Sequence, residues 1–303
     1  MLHQDIEHAK KIIKYFQGKC DIFVHIDKGF DLNEYDKFSL ESLPGVIGVY
    51  QKYHVHWGGF SILKTELFLL KKALIFSDFN YIHLISGQDY PIKPIHLFLN
   101  KFDNSSCEYF EYTHLPNPNW HSNTMYRLQN IFFMDFKPVK NDLDIVSKWN
   151  FAEKLAHYGL KRRIPDDFPH LYGGSQWFSL SRRCIINLLK YTHKRPKFYH
   201  KMRFVFAPDE IYIPTVVMNI NYEKKKIIND NLRFVNWTEY NAPHPSFIKK
   251  EEFYKLAISN QFFARKIGGE SAELISIIDK YLLQEEVPKY EKSGISLLSN
   301  RNI

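Results

Sequence analysis

Three acids stand where an α/β protein keeps its chemistry. Asp27 closes the β-type run Asp21-Ile22-Phe23-Val24-His25-Ile26. Asp89 follows the run Tyr81–Ile85, inside Ser86-Gly87-Gln88-Asp89-Tyr90-Pro91. Glu210 opens a helical pattern within Pro208-Asp209-Glu210. Strand ends and helix starts converge on one edge of such a sheet, and ligands bind there. A carboxylate in a cleft can take the proton of an attacking hydroxyl. Each acid alone also has a plainer reading. Asp27 and Asp89 suit turns, and Asp209 and Glu210 suit a helix N-terminus, where the dipole favours acids.

The cations suggest an anionic ligand. Arg233 lies on a strand-like segment, and Arg265-Lys266 sit inside Phe262-Phe263-Ala264-Arg265-Lys266-Ile267. Adjacent cations among apolar residues can clamp a diphosphate by charge-assisted hydrogen bonds, or snorkel at a sheet edge. A divalent ion is the other way to neutralise a diphosphate. The one Asp-x-Asp, Asp142-Leu143-Asp144, falls in an irregular region after Lys137 and Lys140. It reads as a helix start or loop, so no metal site is expected. The phosphate loop, the Gly-x-Gly-x-x-Gly fingerprint and the Gly-x-Ser-x-Gly elbow are absent. Trp57, Trp177 and Trp237 can stack on a sugar or uracil, or pack in a core.

These residues need a frame. Ile6, Ala9, Ile12, Ile13 and Phe16 give a helix over 5–17, ended by Gly18. Strands follow at 21–27 and, after Pro44-Gly45, at 46–50. A helix after Gly58-Gly59 carries Ile62, Leu63, Leu67, Leu70 and Leu74, with Ser61 as its expected N-cap. A strand spans 81–85. Strand, helix and strand imply a parallel sheet with crossover helices. Only Met1-Leu2-His3 could supply a strand before the first helix. The pattern loosens from about 101 to 170, as in a variable, acceptor-shaping region. It tightens into a strand at 176–180, a helix at 183–191, a helix from Pro208, a β-rich piece at 232–237 and a C-terminal amphipathic helix. The polar end from Ser293 to Ile303 is expected to be loose.

Composition bounds the rest. The 303 residues suit one large α/β domain or two small lobes, and 45% apolar content supplies a core. A net charge of +8 points to an anionic partner. The basic residues are scattered and no nucleic-acid motif is present, so a nucleic-acid partner is not expected. Cys20, Cys107 and Cys184 are far apart and suggest neither zinc nor a disulfide framework. With no signal peptide and no spanning segment, the expectation is a cytoplasmic protein with room for peripheral contact at the inner face of a membrane.

Six short motifs in order carry a resemblance. They are His56-Trp57-Gly58-Gly59-x-Ser61, Ser86 to Pro91, Gly173-Gly174-Ser175-Gln176-Trp177-Phe178, Pro208-Asp209-Glu210, Asn231-Leu232-Arg233 with Asn236-Trp237, and Phe263-Ala264-Arg265-Lys266. Together, over roughly residues 3 to 267, they resemble the core-2/I-branching N-acetylglucosaminyltransferases and peptide O-xylosyltransferases of glycosyltransferase family 14. The resemblance implies a GT-A-type α/β fold with a mostly parallel sheet, a UDP-sugar donor, anomeric inversion and no metal cofactor. Carried over, Glu210 resembles the catalytic base and Asp89 the acid that meets the acceptor. Arg233, Arg265 and Lys266 resemble the diphosphate cations. His3 and Asp27 match positions flanking the uridine. Gly87, Gln88 and Ser175, with the three tryptophans, are the expected substrate-binding positions. The animal members' membrane anchor and many disulfide cysteines are missing, so their acceptors need not carry over.

The sequence thus implies a donor half at 1–100, an acceptor and catalytic half at 101–268 of the same domain, and a helix and tail at 269–303. The expected reaction moves xylose or N-acetylglucosamine from UDP-xylose or UDP-GlcNAc to a glycan or peptide hydroxyl, in surface polysaccharide or glycoconjugate synthesis. A non-catalytic nucleotide-sugar or glycan binder on the same fold is the rival.

Overall fold

The computed structural model describes residues 1–2, 5–117, 124–164, 169–220, 226–237 and 244–284. His3 and the segment Ser293–Ile303 lie outside the described residues.

Apolar spacing builds the first helix. Ile6, Ala9, Ile12, Ile13 and Phe16 are all buried on α1 (Ile6–Phe16). The Asp5 carboxylate caps it by accepting from His8 N at 2.9 Å. Gly18, at φ +70°, ends it in the left-handed region. Strands β1 (Ile22–His25) and β2 (Val46–Tyr50) pair in parallel across α2 (Glu34–Glu41). Only Leu40 is buried on α2, so no apolar stripe announces that helix. Next come α3 (Phe60–Phe76), β3 (Tyr81–His83), β4 (Asp89–Pro91) and α4 (Ile95–Asp103). The middle of the chain holds β5 (Glu108–Phe110), β6 (Thr113–His114), α5 (Thr124–Gln129) and α6 (Asp142–His157). Then follow β7 (Tyr172–Gly173), β8 (Phe178–Ser181), α7 (Arg182–Lys194), α8 (Pro196–Lys201) and α9 (Asp209–Asn219). The last elements are β9 (Ile227–Asn229), β10 (Arg233–Val235), α10 (Phe253–Ile258), β11 (Phe263–Arg265) and α11 (Ala272–Tyr281).

The strands form mixed sheets rather than a mostly parallel one. One runs β3-β8-β5-β9 and another β10-β11-β4, beside the pairs β1-β2 and β6-β7. Pairing is antiparallel at β3–β8, β5–β8, β4–β11 and β6–β7. Strands brought together by long excursions, not by one crossover helix, are not bound to run parallel. The α/β class itself holds. The expected halves interlock, since β4 pairs with β11 and β3 with β8.

Two local expectations change. Ser61 lies inside α3, and Gly59 occupies the cap position. The Ser61 hydroxyl accepts from His56 N at 2.8 Å and donates to Asp135 Oδ1 at 2.6 Å. The supposedly loose region holds α6, sixteen residues long, with only Ala152 buried. Without an apolar stripe, its period is silent in the sequence. Asp142 and Asp144 form its first turn, capped by Asn141, so the Asp-x-Asp is a helix start.

Met1 and Leu2 stand in place of a first strand. Leu2 N donates to His25 O, Asp27 N to Leu2 O and Gly87 N to Met1 O, each at 2.8 Å. Beyond that rung β1 and β3 part around a crevice of about 670 Å³, lined by Ile22, Val24, Ile82 and Leu84 among others. No helix among the described residues is long and apolar enough to cross a membrane.

One core gathers on α3, α7, α9 and β8, and a second on α1, α4, β4 and β11. Phe98 centres the second. It is 1% exposed and its ring meets Phe16, His83, Phe102, Phe262 and Phe263. Phe98→Ala is expected to cost about 3–5 kcal/mol, as for a large buried ring cut to a cavity. Phe38→Ala, at a 69% exposed ring, should stay within about 0.5 kcal/mol. Urea unfolding midpoints compare the two.

Candidate active site

The site has a cationic end and an acidic end, joined by one strap of chain. At the cationic end, β4 and β11 pair so that Asp89 faces Arg265, and β10 brings Arg233 alongside. Asp89 is 0% exposed. Its Oδ1 accepts from Arg265 Nη1 at 3.0 Å. Its Oδ2 accepts from Arg233 Nε at 3.3 Å and from Ser86 N at 2.9 Å. Arg233 spends its other nitrogens on Asn231 O and Leu84 O. Burial pulls the Arg233 guanidinium down from its usual range, and Asp89 opposes that.

Two sequence expectations are corrected here. Asp89 has no exposed oxygen to offer an acceptor hydroxyl; it is the counter-charge of two arginines. Arg233 is a buried member of that cluster, its side chain 1% exposed and its Nε, Nη1 and Nη2 each donating to a protein oxygen, rather than a cation open to a diphosphate. Trp177 changes role too. It is buried, with the Arg265 and Arg233 guanidiniums over its ring at 4.4 and 5.1 Å. Its faces serve cation–π contacts rather than a sugar.

Lys266 follows at the end of β11. Burial, and secondly Arg265, pull its ammonium down to about 8. No acid among the described residues forms an ion pair with it; its Nζ lies 5.9 Å from the Phe247 ring centre. A half-buried ammonium depressed by a neighbouring cation gains from an arriving anion. Gly87 and Gln88 build the turn beside it. Gln88 O accepts from Ile267 N at 2.9 Å, and a Cβ on Gly87 would lie 2.5 Å from Leu2 Cδ1. They act through backbone, fixing the turn.

At the acidic end, Asp209 and Glu210 open α9. Glu210 is about one-third exposed, and its Oε2 accepts from Arg127 Nη1 at 2.8 Å. Arg127 comes from α5 and lies over the Phe206 ring at 5.0 Å. Trp57 meets the same ring edge-on at 5.4 Å and stays partly exposed. The motif around Gly58-Gly59 is what docks here: Ala207 N donates to Gly58 O, and a Cβ on Gly58 would strike Phe206. Asp209 is buried. Burial, then Glu210, push its carboxyl up to about 8.

The strap is Gly174–Trp177. Gly174 N donates to Glu210 O at 2.9 Å. A Cβ on Gly174 would lie 1.8 Å from Glu111 O, so only glycine fits. Ser175 Oγ accepts from Asn231 Nδ2 at 3.0 Å, Gln176 Nε2 donates to Glu66 Oε1 at 2.8 Å, and Trp177 carries the two guanidiniums. Elsewhere, Asp27 holds the end of β1, its carboxylate accepting from Gly29 N and from Val55 N at 3.0 Å. Trp237 lies beyond β10 with its ring exposed. Among the described residues no three His, Cys, Asp or Glu side chains are grouped to hold a metal ion.

Arg127, Asp135, Phe206 and Glu66 were not anticipated. Arg127 and Asp135 come from the region without a readable period. Glu66 did leave a signal: it is a carboxylate on the Leu63, Leu67, Leu70 stripe of α3, all buried.

The Core-2/I-branching enzyme family model matches residues 1–262, and the chain belongs to that family. Its mixed α/β architecture agrees with the GT-A-type fold. Beta-glucuronosyltransferase GlcAT14A of Arabidopsis thaliana is 25% identical over 208 residues, which cover 68% of this chain and 43% of that protein. Xylosyltransferase sqv-6 of Caenorhabditis briggsae is 23% identical over 224 residues, 71% of this chain and 25% of that one. Beta-glucuronosyltransferase GlcAT14B of A. thaliana is 28% identical over 126 residues, 41% and 29% of the two chains. The aligned parts thus span less than half the length of each of these relatives.

Asp89→Asn tests the corrected role. It leaves two buried arginines short of their counter-charge, and the expected loss is about 3–5 kcal/mol in urea unfolding. Wild-type stability with abolished activity would return Asp89 to the acceptor.

Proposed function

We propose that the chain is an inverting glycosyltransferase that moves a sugar from a UDP-sugar to a hydroxyl of a glycan or protein without a metal cofactor. Glu210 is the base, and Arg265 and Lys266 receive the diphosphate. The observation that carries this reading is the strap, which ties the backbone of Glu210, whose carboxylate is about one-third exposed, to the Arg265 and Lys266 end of the site. Family membership and the transferases named above support it.

The chemistry follows from those positions. The acceptor hydroxyl gives its proton to Glu210 as its oxygen bonds to the anomeric carbon. The bond from that carbon to the diphosphate breaks on the opposite face, and UDP leaves with the electron pair. The configuration inverts. Fixed cations stabilise the charge on the leaving group, each such contact worth about 3–4 kcal/mol. Trp57, open beside Glu210, offers an apolar face for the acceptor sugar. The donor is UDP-xylose or UDP-GlcNAc, and the relatives add UDP-glucuronic acid to the panel. Surface polysaccharide or glycoconjugate synthesis is the setting proposed.

UDP release from these three donors, side by side, reads the donor. Glu210→Gln is expected to lower transfer by about 100- to 10,000-fold. Turnover should survive EDTA; complete loss restored by Mn²⁺ overturns the metal-free part. UDP binding without transfer across the panel would leave a binding protein.

Lys266 makes a pH prediction. Its charged form, the one that attracts diphosphate, dominates below about pH 8. UDP affinity measured by calorimetry should weaken as pH rises through that value. In Lys266→Arg the weakening should move to higher pH, since arginine keeps its charge.

A further inference from the structure

Beneath Glu210 lie two carboxyl groups that the transfer step does not use. Glu66 projects from α3 and Asp209 from the start of α9, and the two helices pack together. Both side chains are more than nine-tenths buried. Each keeps one oxygen, Glu66 Oε2 and Asp209 Oδ1, with no hydrogen-bond partner among the described residues. Glu66 Oε1 is held by Gln176 of the strap.

The surroundings decide the charge. Glu66 faces the Gln176 amide, Asp209 and the amino group of Met1; Asp209 faces Glu210 and Arg127. The guanidinium that faces Asp209 among the described residues, Arg127, is bonded to Glu210. Burial pushes both carboxyls up, and the neighbouring acids push further. Two buried anions side by side would be costly, and a proton retained by the pair removes that cost.

We propose that Glu66 and Asp209 hold a proton between them and so position Glu210, by keeping Asp209 from competing with Glu210 for Arg127. When that proton is lost, Asp209 becomes a rival for Arg127, and the Glu210 carboxylate loses its fixed orientation. Glu66 and Asp209 are positioning residues; neither touches substrate. The proposal rests on Glu210 as the base.

The experiment has a kinetic arm and a melting arm. The kinetic arm follows kcat at saturating donor against pH in the Lys266→Arg background, where the diphosphate cation keeps its charge and the Lys266 titration is removed. That background should lose kcat as pH rises through about 8. In Asp209→Asn the rival is gone, and the alkaline limb should move up by at least about one unit. In Glu66→Gln the partner carboxyl is gone, Asp209 ionises sooner, and the limb should move down. Opposite shifts are not what a purely structural pair would give.

The melting arm needs no turnover. A carboxyl raised in the native state holds a proton that the unfolded chain has released, so stability falls with rising pH up to about 8. The fall in Tm between about pH 5 and about pH 8 should be shallower in each variant than in the wild type. A kcat limb and a Tm slope both unchanged in whichever variants fold would overturn the proposal. If no donor is turned over, the UDP-sugar reading fails by itself, and the Tm slopes alone decide on the shared proton.

Discussion

One buried carboxylate fixes the middle of this molecule. Asp89 lies where β4 meets β11, and two guanidiniums converge on it from β10 and β11. An unpaired charge there would be prohibitive, so the acid and its cations can only be buried together. Two more Arg233 N–H groups reach Leu84 O and Asn231 O, and Ser86 N reaches Asp89. One point therefore sets the spacing of three strands, the 84–86 turn and the start of β10. The arrangement consumes Arg233. It leaves Lys266, one residue beyond Arg265, as the cation of the site whose charge no acid among the described residues answers by an ion pair.

The Gly174–Trp177 strap extends that constraint to the other end of the site. Each of its residues makes a different contact, to Glu210, Asn231, Glu66 and the arginines in turn. Because Gly174 sits against the Glu111 carbonyl with no room for a side chain, the strap has no slack at that point. Three peptide units thus join the backbone of Glu210 to the indole that carries the arginines. A transfer reaction needs base and leaving-group stabiliser at a fixed separation. A short, packed segment supplies that better than a flexible loop.

The sequence was legible where burial or punctuation is dense and illegible where both are sparse. α1 lies close to its expected bounds because its buried residues recur at helical spacing, β2 follows Pro44-Gly45 as expected, and α9 starts where expected and is buried almost throughout. α2 and α6 went unseen because each buries one residue. The motifs pointed to the right segments of the site, yet not to the right atoms. Asp89 and Arg233 look like ligand-facing groups in sequence, because a strand-end acid and an arginine beside aromatics are the same letters whether they meet a substrate or each other. Only the pairing of β4 with β11 shows that they meet each other. Arg127, which orients Glu210, comes from α5, a six-residue helix in the aperiodic region, 83 residues away along the chain.

The two ends of the site differ in charge, and the difference has a direction. At one end Arg233, Arg265 and Lys266 outnumber the acids that face them among the described residues, Asp89 and Glu111. At the other, among the described residues, the carboxyls of Glu210, Asp209 and Glu66 outnumber the cations that face them, Arg127 and the Met1 amino group. Protonation of the buried acids tempers that second imbalance without reversing it. The resulting field favours negative charge at the Lys266 end and positive charge at the Glu210 end. Moving a proton to Glu210 while electron density moves to a diphosphate at Lys266 runs along that field, and it needs no rearrangement of the protein dipoles at the moment of transfer. Reversing the assignment, with the diphosphate beside Glu210 and the hydroxyl beside Lys266, would run against it. A diphosphate placed there would meet three carboxyl groups for one guanidinium. The proposed orientation of donor and acceptor across the strap is therefore the one that the charges at its two ends favour.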